Sequence, residues 1–80
     1  AFLAAVSSGF LGDRLMRALA EEKVHTSTVV RTPARTTISL IGLDARGVPS
    51  YDFYGEGAAD RQLGMDAIAA LPAGIAAIHV

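Results

Sequence analysis

The chain has 80 residues, 51% of them hydrophobic and 19% charged, with a formal net charge of −1 at pH 7. That balance excludes an electrostatic case for binding nucleic acid or an anionic membrane. The lack of cysteine excludes a disulfide framework and thiolate metal sites. A free-standing domain this small needs more charge to cover its surface, so the surplus of apolar residues predicts faces covered by protein outside the chain.

The first run, FLAAVSS (Phe2 to Ser8), is continuously apolar and ends in small polar residues, which predicts a buried, parallel strand. A helix follows, with Leu11, Leu15 and Leu19 four apart and Met16 beside them on one stripe. Ser8 or Asp13 could cap its start. It is expected to fade near Lys23, where VHTSTVV is too rich in β-branched residues to continue it. Thr32-Pro33 opens a connection.

From Arg35 to Asp60 the pattern is strand, turn, strand. TTISLIGL and SYDFY flank Asp44-Ala-Arg-Gly47, where the glycine supplies a positive φ. Side chains alternate along a strand, so Ile38 and Leu40 share one face and Ser39 and Ile41 the other. The hairpin therefore has something to cover on each side. Beyond it come a turn and a helix carrying Met65, Ile68 and Leu71, stopped by Pro72 and Gly74. The closing run, Ile75 to Val80, is expected to be a second apolar parallel strand. The order is strand, helix, hairpin, helix, strand, an α/β pattern in which two outer strands belong to a helix-covered parallel sheet. Two strands do not make such a sheet, which predicts a piece of a larger α/β domain.

Candidate chemistry is sparse. Ser8-Gly9-Phe10-Leu11-Gly12 lies between strand and helix, where phosphates often bind. It lacks the Lys-Ser/Thr of a P-loop and the third glycine of a dinucleotide fingerprint, so a tight turn is the better reading. His25 and His79 have no neighbouring ligand, and a metal site needs three or four. Ser7 and Ser8 have no nucleophile elbow. Asp44, Asp52, Glu56 and Asp60 read as solvated turn carboxylates. Tyr51 and Phe53 share one face of the return strand, serving either as packing residues or as part of a ligand-covering flap. No apolar run approaches the ~20 residues that cross a bilayer. AFLAAV has no basic flank of a signal peptide, so a cytoplasmic, membrane-free protein is expected.

The ordered set Val6 to Gly12, Leu15 to Leu19, Val24, Thr36 to Leu43, Asp44 to Gly47 and Phe53 to Asp60 resembles the ribokinase-like (PfkB) carbohydrate kinases, closest to their fructokinase-like members. The resemblance implies part of a ribokinase-like, Rossmann-type α/β domain with parallel core strands, flanking helices and a β-hairpin lid. Residues 1–31 would be core strand and helix, 32–60 the lid, and 61–80 helix and core strand. It also implies an ATP-dependent kinase, with Mg2+ and ATP as phosphoryl donor, acting on a sugar hydroxyl. Ser39, Ile41, Phe53 and Gly55 would face the sugar. Ile38 and Leu40 would meet a second lid in a homodimer.

Gly9 stands where the family usually has Asp, and Lys23 where it has Gly. Gly55 without the common Arg, and Ser39 without the Tyr of ketodeoxygluconate kinases, point to a neutral sugar. The family's Gly-Gly-x-x-x-Asn and Gly-Ala-Gly-Asp motifs are absent from these 80 residues, so the chain alone is expected to be inactive. The alternative from another class is a non-catalytic α/β interaction domain that pairs through its hairpin.

Overall fold

The structure, a computed structural model, describes residues 1–80. Strand β1 (Ala5–Ser7) leads into helix α1 (Phe10–Glu21), which returns the chain to strand β2 (Val30–Thr32). β1 and β2 pair in parallel, with Ala5 opposite Val30 and Ser7 opposite Thr32. Helix α1 packs against β1, so the first 32 residues form one βαβ unit. The hairpin follows as β3 (Ile38–Leu43) and β4 (Pro49–Tyr54), then a single 3-10 turn (Ala59–Arg61) and a short helix α2 (Met65–Ala69).

The buried residues mark where the chain closes on itself: Ala5, Val6 and Ser7 of β1, Gly12 of α1, Ala58 just before the 3-10 turn and Ala59 within it. The 3-10 turn therefore caps the β1 strand, and Ala59 N–H donates to the Arg35 carbonyl at 2.8 Å to hold it there. No large side chain is fully buried. The exposed surface is 6557 Å², against roughly 4,600 Å² expected of a compact folded chain of this mass. The radius of gyration, 15.4 Å, compares with about 12 Å for a compact chain of this length. The apolar surplus is thus displayed rather than packed.

Several sequence expectations change. The parallel partner of β1 is β2, within the stretch expected to be only a connection. It is short and carries Arg31, which disguised it, although Val29 and Val30 suit a strand. Residues 75–80 form no strand, because a strand exists by pairing its backbone groups and no strand of the chain lies beside them. His79 is therefore exposed on irregular backbone rather than at a strand's end. Helix α2 is only five residues long, too short to persist without a packing partner. Neither Ser8 nor Asp13 caps α1: Gly9 occupies the cap without a side-chain bond. Asp13 instead pairs with Arg31 at 2.5 Å.

At its other end α1 stops in a Schellman arrangement. Val24 N–H donates to the Leu19 carbonyl and Lys23 N–H to the Ala20 carbonyl, each at 3.0 Å. Lys23 adopts φ +57° there. A lysine thus takes the left-handed position at which helices commonly end on glycine.

Candidate functional site

The hairpin register decides which side chains share a face. Ser39 lies opposite Phe53 and Ile41 opposite Tyr51, while Ile38 lies opposite Tyr54 and Leu40 opposite Asp52. Directly opposed residues point to the same side of an antiparallel pair. One face therefore carries Ser39, Ile41, Tyr51 and Phe53, and the other Ile38, Leu40, Asp52 and Tyr54. Tyr51 and Phe53 stack with ring centroids 6.2 Å apart and planes at 12°. Both faces are open: Ile41 is 60% and Phe53 70% exposed, Leu40 54%.

Gly55 continues the first face beyond the end of β4. A Cβ built on it would lie 3.2 Å from Thr37 Oγ1, so Gly55 and Thr37 adjoin at the hairpin's root. A side chain at position 55 would require Thr37 to give by a few tenths of an ångström. A groove of about 420 Å³ opens here, lined by Thr37, Phe53, Gly55, Glu56, Asp60 and Arg61. It mixes one aromatic ring with two carboxylates, a hydroxyl and a guanidinium, a set suited to a polar ligand with an apolar edge.

A larger groove, of about 770 Å³, lies between the hairpin's root and the βαβ unit. Ser7, Gly9 and Phe10 form one wall, Arg35 and Thr36 the connection, and Ile38 and Tyr54 belong to the second hairpin face. The glycine-rich turn thus faces a groove. Gly12, however, is spent on packing: a Cβ there would fall 1.8 Å from the Ser7 carbonyl oxygen.

Hydroxyls pin the hairpin to the body. Ser7 Oγ and Thr36 Oγ1 share a hydrogen bond at 2.8 Å, and Thr37 Oγ1 donates to Asp60 Oδ1 at 2.5 Å. Asp60, read in the sequence as a solvated carboxylate, is therefore a structural acceptor. So is Asp44, whose Oδ1 takes the N–H groups of Arg46 at 2.8 Å and Val48 at 2.9 Å to shape the hairpin turn. Thr37, Asp60 and Arg61 were not singled out as groove residues. The signal for two of them was the Thr-Thr and terminal Asp of the motif set, which the fold brings together from 23 residues apart.

No group of three or more His, Asp or Glu side chains gathers to hold a metal ion. No helix is long and apolar enough to cross a membrane.

No known family model matches the chain. No curated protein matches it either. Among solved structures it is similar to fructokinase from Xylella fastidiosa, with 36% identity and a TM-score of 0.76 over 82% of this chain. A second structure of that protein, fructokinase with bound ATP, matches with 34% identity and the same TM-score over 82% of this chain. The chain spans 21% and 20% of those two chains. The 80 residues, a mixed α/β piece with a short parallel sheet and an antiparallel hairpin, are thus similar in sequence and fold to about a fifth of that fructokinase.

Proposed function

We propose that this chain is the hairpin-bearing segment of an ATP-dependent sugar kinase, and that the hairpin is its substrate-covering lid. The observation that carries the reading is the joint likeness in sequence and fold to fructokinase over 82% of the chain. The bound ATP in one of those structures is the reason to assign ATP as donor here, with Mg2+ held by groups outside these residues.

The physical role follows from the exposed aromatic face. Phosphoryl transfer relies on positioning and on charge stabilisation, and a water-excluding cover prevents the phosphoryl group from reaching solvent. Ser39, Ile41, Phe53 and Gly55 form the sugar-facing side in this proposal. Ser39 offers the one hydroxyl among them, Phe53 a ring face, and Gly55 backbone access. The acidic or basic groups that would handle the transferred proton or phosphate are not among these four.

Ile41→Asp in the intact protein tests the reading. A buried, unpaired carboxylate against a closed sugar is unfavourable by about 2 kcal/mol or more. Fructose phosphorylation, followed as ADP release, should then lose roughly thirtyfold or more in kcat/KM by that figure. Unchanged kinetics in an active enzyme exclude this face as the sugar side. Absence of sugar phosphorylation by the unmutated protein removes the kinase reading altogether. The interaction-domain alternative is then favoured, with the exposed Ile38 and Leu40 face as its contact.

A further inference from the structure

The hairpin projects from a narrow root. Its strands pair only with each other, and every residue from Ile38 to Tyr54 is exposed. Six residues per strand at about 3.4 Å each make an arm of roughly 20 Å. By that length a 10° rotation at the root moves the tip by roughly 3 to 4 Å, enough to spoil a near-attack geometry. What sets the root angle therefore bears on the placement of every residue along the arm.

Three hydrogen bonds cross from the body to the three residues before β3. Ala59 N–H reaches the Arg35 carbonyl at 2.8 Å, Ser7 Oγ meets Thr36 Oγ1 at 2.8 Å, and Thr37 Oγ1 reaches Asp60 Oδ1 at 2.5 Å. Thr36 is held by the end of buried β1 and Thr37 by the 3-10 turn packed against that strand. The Thr37 bond is the charge-assisted one and therefore the stronger. Gly55 leaves Thr37 the space to make it, since a Cβ at position 55 would crowd both the hydroxyl and the methyl of Thr37, at 3.2 and 3.3 Å.

We propose that Thr37 and Asp60 are positioning residues that set the angle of the hairpin over the substrate, with Thr36 and Ser7 as the second anchor. This rests on the kinase reading for its effect on turnover, but the mechanical claim stands on the hydrogen bonds alone. Thr37 and Asp60 also line the 420 Å³ groove at the hairpin's root, so hairpin hydrogen exchange, which a lost ligand contact would not move, separates positioning from contact. Loss of the bond lowers the fraction of molecules with the hairpin correctly set, and apparent affinity falls by that fraction.

The test uses the intact protein with Thr37→Val, Thr37→Ser and Asp60→Ala. Two readouts are taken: kcat and KM for fructose, and hydrogen exchange of amides in Ile38–Tyr54 relative to those in α1. Thr37→Val should raise KM about tenfold, the equivalent of one hydrogen bond to a charged acceptor, with kcat within about twofold. Hairpin exchange should quicken by a similar factor while α1 exchange stays the same. Thr37→Ser should restore both, and Asp60→Ala should reproduce Thr37→Val without adding to it in the double variant. The proposal is overturned if hairpin exchange is unchanged in Thr37→Val, if Thr37→Ser fails as badly as Thr37→Val, or if KM stays constant in an active enzyme. If the unmutated protein phosphorylates no sugar, the kinase reading falls. Hydrogen exchange alone then decides the hinge: quickening confined to the hairpin supports it, and no change overturns it.

Discussion

Gly12 shows how much one missing methyl group does in this chain. It sits in the first turn of α1 where the helix crosses the carboxyl end of β1, and a Cβ would overlap the Ser7 carbonyl oxygen at 1.8 Å. That oxygen already accepts from Arg31 Nε at 3.1 Å, and the Ser7 side chain holds Thr36. Gly12→Ala must therefore push α1 off the strand and disturb both links. The expected loss is about 2 to 3 kcal/mol, the upper part of the range for overpacking. Urea denaturation of the intact protein measures it, and an unmoved midpoint would contradict the close packing. The Arg31–Asp13 ion pair beside it is 37% and 60% exposed at its two side chains, and such pairs contribute less than about 1 kcal/mol. At this junction sterics outweigh charge.

At the scale of the element, the hairpin is held by its turn and its root, because its strands bury nothing. Gly47 takes φ +77°, a region open to glycine at no steric cost. Asp44 closes the turn by accepting two backbone N–H groups, which resembles an Asx turn extended by one bond. Asp44→Ala leaves those donors to water. Exposed hydrogen bonds of this type contribute about 0.5 to 1.5 kcal/mol each, so exchange of the tip amides should accelerate roughly tenfold or more. Exchange within α1 should not change. Uniform acceleration across the chain would show that the hairpin and the βαβ unit open together. The hairpin was legible before the fold was known, since β-branched and aromatic runs around Asp-x-x-Gly leave few alternatives. Strand β2 was not, because three residues with a charge in the middle carry no periodic signal.

The whole molecule measures 52 × 25 × 22 Å, an elongated body with apolar surface on both hairpin faces. One face is assigned above to the substrate. For the other, carrying Ile38, Leu40 and Tyr54, we propose contact with the same face of a second copy, a two-fold arrangement that buries like against like. Leu40→Asp places a charge at that contact, and two such charges meet across the axis. The intact protein should shift from dimer to monomer in light scattering at micromolar concentration. A dimer that persists in Leu40→Asp would exclude this face.

Composition and periodicity were enough to mark helix α1 and the hairpin with its two faces, though not strand β2 or the unpaired residues 75–80. The abundant apolar residues are displayed as exposed surface, the four-residue leucine spacing marked α1, and strict alternation sorted Ser39 and Ile41 from Ile38 and Leu40. These are local properties, set by backbone geometry within a few residues. Pairing was decided elsewhere. That β1 takes β2 as its partner, that residues 75–80 remain unpaired, and that Thr37 meets Asp60 each depend on segments far apart in the chain. A hydrogen bond needs its two groups within about 3 Å, and only the tertiary fold brings such distant groups that close.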